Sequence, residues 1–417
     1  LRALFEQPLG RFMKAASAAP QSPIAFLAVA LAFAINMMGT TLPTAIYRYY
    51  ELQYGFTPTI ITVIYASYAI GVLGALLLVG NWSDQLGRRR MLLAGLCASA
   101  ASALTFLLSD GLALLMLGRL LSGISAGIFT GTATVAVIEL APPAWRSKAM
   151  LAATASNMLG LGCGPLLSGI LVELFPLPMR LPYAAHLVLV GVAALIVLGV
   201  PETAAIPSRV KLGIQKISLP AEVRPAFIPA ALAGFAGFVV VGFFAAVAPQ
   251  LIRGVLGFHS GIVTGAIVFL LFACSALGQI VQTIITARWR QAAGCVGLVV
   301  GLMCVGLCVP AQSLGALLLG TALAGIGQGI SFRAGLGEIA AAAPAQRRAE
   351  VTSSFFVVLY VAISLPVIGL GIAVQMSDIQ RATLLFVGLT IVLVLIALLL
   401  LMRKQADTEQ DARAVGD

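Results

Sequence analysis

Apolar residues in this chain gather into twelve blocks of roughly 20 to 30 residues, separated by short polar intervals rich in Gly, Pro, Arg and Asp. The blocks fall at 23–46, 58–79, 91–109, 112–140, 147–172, 182–200, 226–252, 261–285, 292–311, 313–341, 350–374 and 381–402. A helix rises about 1.5 Å per residue, so about 20 apolar residues cross a hydrocarbon core about 30 Å thick. Each block therefore predicts one membrane-spanning helix, and together they predict an all-α polytopic membrane protein. The blocks at 112–140 and 313–341 are longer than a perpendicular span requires, which predicts tilt or projection beyond the bilayer.

Composition agrees: 60% of the 417 residues are hydrophobic and 10% charged, with a mean hydropathy of +1.04. A soluble domain of that composition would lack the polar surface it needs. The net charge of +10 would suit nucleic acid if it formed a patch, but it follows topology instead. With the N-terminus inside, Arg48, Arg180, Arg253 and Arg381 are the basic residues left outside, Arg119 and Arg333 lie within spans, and the rest face the cytoplasm. That bias places both termini in the cytoplasm and leaves no case for nucleic acid. Cys97, Cys163, Cys274, Cys295, Cys304 and Cys308 all lie inside apolar blocks without ligand spacing, so they read as small core residues rather than metal ligands or a disulfide framework.

The longest polar interval, PETAAIPSRVKLGIQKISLPAEVRP at 201–225, reads as a cytoplasmic linker. It divides the chain into a leader 1–22, an N-terminal six-helix bundle 23–200, the linker, a C-terminal bundle 226–402 and a cytoplasmic tail 403–417. The halves share one register: Arg88, Gly123, Gly127, Pro142 and Arg146 fall on Arg290, Gly325, Gly329, Pro344 and Arg348. Two repeats about an axis normal to the membrane are expected. Trp82, Trp145 and Trp289 fall in cytoplasmic turns as interfacial anchors, and the tyrosines of YRYYELQY, 47–54, are expected to form the matching outer belt.

Charge is densest in GNWSDQLGRRRM, 80–91. Gly87 allows a sharp turn, Asp84 can accept charge-assisted hydrogen bonds from Arg88 or from helix-end amides, and the arginines hold the loop inside. This stretch resembles the loop between the second and third helices of the major facilitator superfamily: Gly80, Asp84, Gly87, Arg88 and Arg89 match, while Trp82 and Gln85 depart from the pattern. RLLSGISAG resembles the fourth-helix pattern through Arg119, Gly123 and Gly127. GLGCGPLLSG resembles the fifth-helix pattern of the antiporter branch through Gly160, Gly164, Pro165 and Gly169, with Leu151 and Ser168 where glycines are usual.

The resemblance implies two six-helix bundles working by alternating access. It also implies that the 80–90 cluster latches them on the cytoplasmic side, with Glu139 paired to Arg146 or joined to Asp84 and Arg88. Thr286 and Ala341 stand where the second repeat would carry the acids, so that copy is expected to have lost the latch. The glycines and Pro165 are expected to serve close helix packing.

Gly123–Gly127 also spells G-x-S-x-G, but His186 and His259 are poorly placed to act as a base and the repeat reads GIGQG without the serine. The chain is therefore not expected to be an enzyme, and no cofactor is expected. No phosphate-binding G-x-x-x-x-G-K-[ST] occurs. Substrate-cavity candidates are Asn36, Tyr65, Arg119, Arg333 and Tyr360, with Thr40, Tyr68, Gln250, Gln279 and Gln282 beside them. Glu338 is the candidate proton-coupling carboxyl. The expected function is proton-coupled efflux of small organic molecules or drugs by a monomer in a bacterial inner membrane. The alternative is uptake or exchange of a small anionic metabolite. The partners are thus the solute, protons and the lipid bilayer.

Overall fold

The computed structural model describes residues 21–80, 82–207, 213–215, 217–344 and 346–414, with the side chains of 147 and 405–414 left aside. The expected leader, Asn81 and the linker's Arg209, Lys211 and Lys216 lie outside the described residues. Among these residues twelve helices are long and apolar enough to cross a membrane. They are α1 Pro23–Thr41, α2 Pro58–Val79, α3 Arg88–Leu107, α4 Leu112–Leu140, α5 Arg146–Leu174, α6 Leu181–Leu198, α7 Arg224–Ala246, α8 Gly261–Val281, α9 Arg290–Ala311, α10 Leu314–Ala342, α11 Arg348–Met376 and α12 Ile379–Ala414.

Local chemistry sets several starts. Ser22, Thr57, Ser260 and Ser313 cap α1, α2, α8 and α10, each side-chain oxygen accepting from the backbone N–H three residues on. Pro23 and Pro58 occupy the first helical position, where a missing N–H costs no hydrogen bond. Gly87 has φ +104, so α3 starts anew at Arg88 and its three arginines form the first turn rather than a loop.

Element bounds and faces depart from the sequence reading in three further places. The block at 226–252 divides at Val247 into α7 and a short helix Ala248–Gly254. The segment 47–54 is likewise a helix, and its tyrosines turn their hydroxyls to the protein instead of forming an outer belt: Tyr47 and Tyr50 are buried, the Tyr50 hydroxyl meets that of Tyr183 at 2.7 Å, and the half-buried Tyr49 and Tyr54 donate to the Val172 and Ser109 carbonyls. The expected tail continues α12 as far as Ala414.

Both bundles repeat one packing scheme. α4 lies against α1, α2 and α3, and α10 lies in the same way against α7, α8 and α9. Two seams, α5 with α8 and α2 with α11, join the bundles and exchange under the repeat. Their direct contacts run from mid-helix, where the Tyr68 and Tyr360 rings lie 6.3 Å apart, to the end opposite the linker. There α5 and α8 touch backbone to backbone: a Cβ on Gly261 would sit 2.8 Å from the Gly169 carbonyl oxygen. At the linker end the linker itself spans both bundles, Gln215 N–H bonding the Leu77 carbonyl of α2 and Ser218 exchanging hydrogen bonds with Ser354 of α11.

The glycine seam gives a direct expectation. Gly261→Val forces α8 off α5 and lowers stability by about 1–3 kcal/mol, whereas Gly131→Ala, which enters open space, leaves it unchanged or slightly raised. Thermal melts of the detergent-purified variants check this.

Candidate functional site

Two polar constructions stand out against the apolar helices, one at the linker end of the N-terminal bundle and one between the bundles. At the linker end Arg88 is the hub. Its guanidinium lies 2.5 Å from Asp84, donates to Glu139 at 3.3 and 3.4 Å, and donates to Ser83 Oγ at 2.6 Å. The Arg88 side chain is 9% exposed and Glu139 21%, while Asp84 stands largely in solvent. Gly80 closes α2 beside Gln215 of the linker.

One member of this network was missed in the sequence. Glu202, at the start of the linker, accepts the backbone N–H groups of Arg88 at 2.6 Å and Arg89 at 3.1 Å, and so caps the amino end of α3. Its carboxylate occupies the space a Cβ on residue 87 would fill, so Gly87 is required by contact as well as by φ. Thr203 Oγ1 adds a 2.5 Å bond to Glu139. The signal available in the sequence was an acid directly after a span, beside a loop whose glycine leaves helix-end amides open. Arg146 is exposed as the first residue of α5 and forms no ion pair with Glu139, whose carboxylate is occupied by Arg88 and by Thr203 of the linker.

Between the bundles lies a cavity of about 60 Å³, lined by Thr40, Tyr65, Tyr68 and Arg119 on one side and by Phe238, Phe272, Gln328 and Tyr360 on the other. Arg119 is 1% exposed. It donates to the Thr40 carbonyl at 2.5 Å and the Tyr65 carbonyl at 3.0 Å, and its guanidinium carbon sits 4.8 Å from the Tyr68 ring centre and 5.3 Å from that of Tyr65. Thr40 is next to the end of α1, so its carbonyl is among the last four that the helix itself leaves open, at the negative end of the dipole. Each cation–π contact contributes up to about 2 kcal/mol when desolvated. Among the described residues the Arg119 Nε–H has no partner and no carboxylate lines the cavity.

The other candidates lie elsewhere. Asn36 is buried between α1 and α4 with its side-chain oxygen taken by Ser125, so it is turned into the bundle rather than the cavity. Arg333 is half-buried on α10 outside the lining. Glu338 lies toward the linker end of α10, 3.4 Å from Lys404 of α12 and about a third exposed. Gln279 on α8 and Gln282 just past its end are buried away from the lining, and Gln250 sits on the short helix after α7. Gly123 and Gly127 lie against the α2 backbone at Tyr68 and Val72; Gly160 and Gly164 meet α1, and the Pro165 carbonyl meets Gly265 of α8.

Two bundles related by a repeat, with a cavity at their seam, are the layout of one transporter fold, and the sequence decides its family. The profile of the Major Facilitator Superfamily matches residues 27–365. The chain belongs to that superfamily. That family is one of membrane transporters rather than enzymes.

Multidrug resistance protein 1 of Bacillus subtilis (strain 168) is 29% identical over 140 residues, 33% of this chain and 35% of that protein. A triacylglyceride transporter of Mycolicibacterium smegmatis is 29% identical over 115 residues, 28% of this chain and 20% of that protein. The chain therefore spans about a third or less of the length of these relatives. In structure it resembles a bacterial homologue of the human lysosomal transporter Spinster, in an inward-facing and unoccupied conformation, with TM-score 0.71, 14% identity and coverage of 94% and 98% of the two chains. It also resembles the human organic anion transporter MFSD10 (TETRAN), with TM-score 0.64, 18% identity and coverage of 91% and 100%.

In this major facilitator protein the Arg88 cluster has unequal members. Arg88→Ala strands Glu139 and costs about 3 kcal/mol. Asp84→Ala costs under about 1 kcal/mol, as expected for an exposed partner. Differential scanning fluorimetry of the two variants separates these outcomes.

Proposed function

We propose that this transporter exports small organic molecules across a bacterial inner membrane at the expense of the proton gradient. In this reading the linker end is cytoplasmic, as the distribution of Lys and Arg supports. Export is supported by the partial likeness to the Bacillus multidrug resistance protein and by the Gly160–Gly169 run of α5, which resembles the antiporter pattern. The Asp84–Arg88–Glu139 cluster serves as the cytoplasmic latch, with Glu202 fixing the start of α3.

The observation that carries the cargo class is Arg119. A cationic drug in this cavity would face a desolvated like charge with no acid among the described lining residues to offset it. A molecule with a flat apolar body and an acidic or zwitterionic group matches both the aromatic walls and the unpartnered Nε–H. At about 60 Å³ the cavity is far below the ~300 Å³ of ligand pockets, so the bundles must part to admit such a molecule. Arg119 equally favours a second reading, uptake or exchange of a small anionic metabolite, which differs in direction rather than in the site. For proton coupling Glu338 is the proposed carrier, as the carboxyl that ties α10 to Lys404 of α12.

A ligand that binds the folded protein raises its melting temperature, the more so the further its concentration exceeds Kd. Benzoate-like aromatic anions are expected to stabilise the wild type and to lose that effect in Arg119→Ala. Stabilisation by tetraphenylphosphonium that survives in Arg119→Ala would contradict the acidic cargo. In proteoliposomes with an imposed pH gradient, Glu338→Gln is expected to abolish gradient-driven transport; unchanged transport removes Glu338 from the coupling.

A further inference from the structure

The end opposite the linker carries a second charged device, built from residues that neither the latch nor the cavity uses. After α1 the chain forms the short helix Tyr47–Tyr54, and after α7 its counterpart Ala248–Gly254. Glu51 on the first and Arg253 on the second are 202 residues apart, the offset of the repeat, and they meet across the bundle interface at 3.0 Å. Their side chains keep 24% and 16% of their exposure. Burial is the larger influence on both: it raises the Glu51 carboxyl against the pull of Arg253 and Arg48, and it lowers the Arg253 guanidinium against the pull of Glu51. Two charges so far out of water are tolerated together, whereas a like pair or a lone charge is not.

The contacts around this pair also cross between the bundles. Arg48 donates to the His259 carbonyl at 3.2 Å. Glu173, near the end of α5, accepts from Ser260 Oγ at 2.5 Å and from the Ile262 N–H at 2.9 Å, clasping the amino end of α8 where the helix dipole favours an anion. Its repeat equivalent Gln375, near the end of α11, accepts from Thr59 Oγ1 at the start of α2 at 2.6 Å. The two seams are thus closed by one design, with a full charge on one and an amide on the other.

We propose that Glu51 and Arg253, flanked by Glu173 on the α8 end, form the second gate of the transport cycle. The bundles close at this end when residues 51 and 253 carry opposite charges, and these contacts part each time the cavity opens away from the linker. The assignment is independent of the cargo and of the direction of transport.

Hydrogen–deuterium exchange on the full chain in nanodiscs tests this. Arg253→Glu and Glu51→Arg each place like charges at the gate. Each is expected to raise exchange in 47–54, 248–254 and 261–266 by tenfold or more, and at the same time to slow exchange several-fold in 146–154 and 213–220 as the linker end closes. The double variant Glu51→Arg/Arg253→Glu restores both patterns. A merely structural ion pair would loosen the far end without protecting the linker end, and that result overturns the proposal, as does a double variant that exchanges like the single ones. Should the reversals fail to fold, Glu173→Ala carries the test through an exposed residue: a two- to threefold rise at 261–266 with protection at 146–154 supports the gate, and a rise without that protection refutes it.

Discussion

An arginine with 1% of its surface exposed, inside a stack of apolar helices, fixes the arrangement of its neighbours. Arg119 needs the carbonyl that α1 leaves open at Thr40, the Tyr65 carbonyl of α2, and the faces of Tyr65 and Tyr68. Those groups come within reach because α4 touches α2 backbone to backbone: Gly123, one turn beyond Arg119, lies on Tyr68 and Gly71, while Gly71 lies on Leu120 and Gly123. A side chain at either glycine would push the tyrosines off the cation. The small-residue seam and the buried charge are therefore one device, and the cavity forms where its polar side faces the other bundle.

The other bundle has the same helices and little of that charge. The position equivalent to Arg119 is Thr321, which is fully buried and hydrogen-bonds the Leu317 carbonyl of its own helix. Thr286 and Ala341 stand where Asp84 and Glu139 would be, and Arg290 donates to the Ile285 carbonyl instead of an acid. The C-terminal bundle thus supplies aromatic wall and Gln328, and the N-terminal bundle supplies the field. Two bundles of one architecture with unequal charge make a polarised cavity between them.

Much of the fold was legible because membrane helices announce themselves by length and hydropathy, and because a repeat keeps its register. Helix starts at Arg88 and Arg290, Leu112 and Leu314, and Arg146 and Arg348 show that register in the structure. The tyrosines of 47–54 misled, because an aromatic run beside a span looks alike whether it faces lipid or, as with Tyr50, a hydroxyl on another helix. The cavity was legible where the residue type demanded an explanation, as with Arg119 and the tyrosines around it. It was illegible where a polar residue has a local use: Asn36 lies one turn from Thr40 on α1 yet serves Ser125, and Glu338 serves Lys404. Glu202 escaped notice because its role depends on the spatial approach of the linker to α3, which the order of residues does not show.

Charge transfer recorded from proteoliposomes on a solid-supported membrane addresses the central proposal, that a cavity whose buried arginine has no carboxylate beside it among the described residues selects acidic organic solutes. Rapid addition of small aromatic carboxylates is expected to give a saturable transient current absent from protein-free liposomes, while lipophilic cations of similar size give none. Saturable currents with the cations and none with the carboxylates would contradict the account.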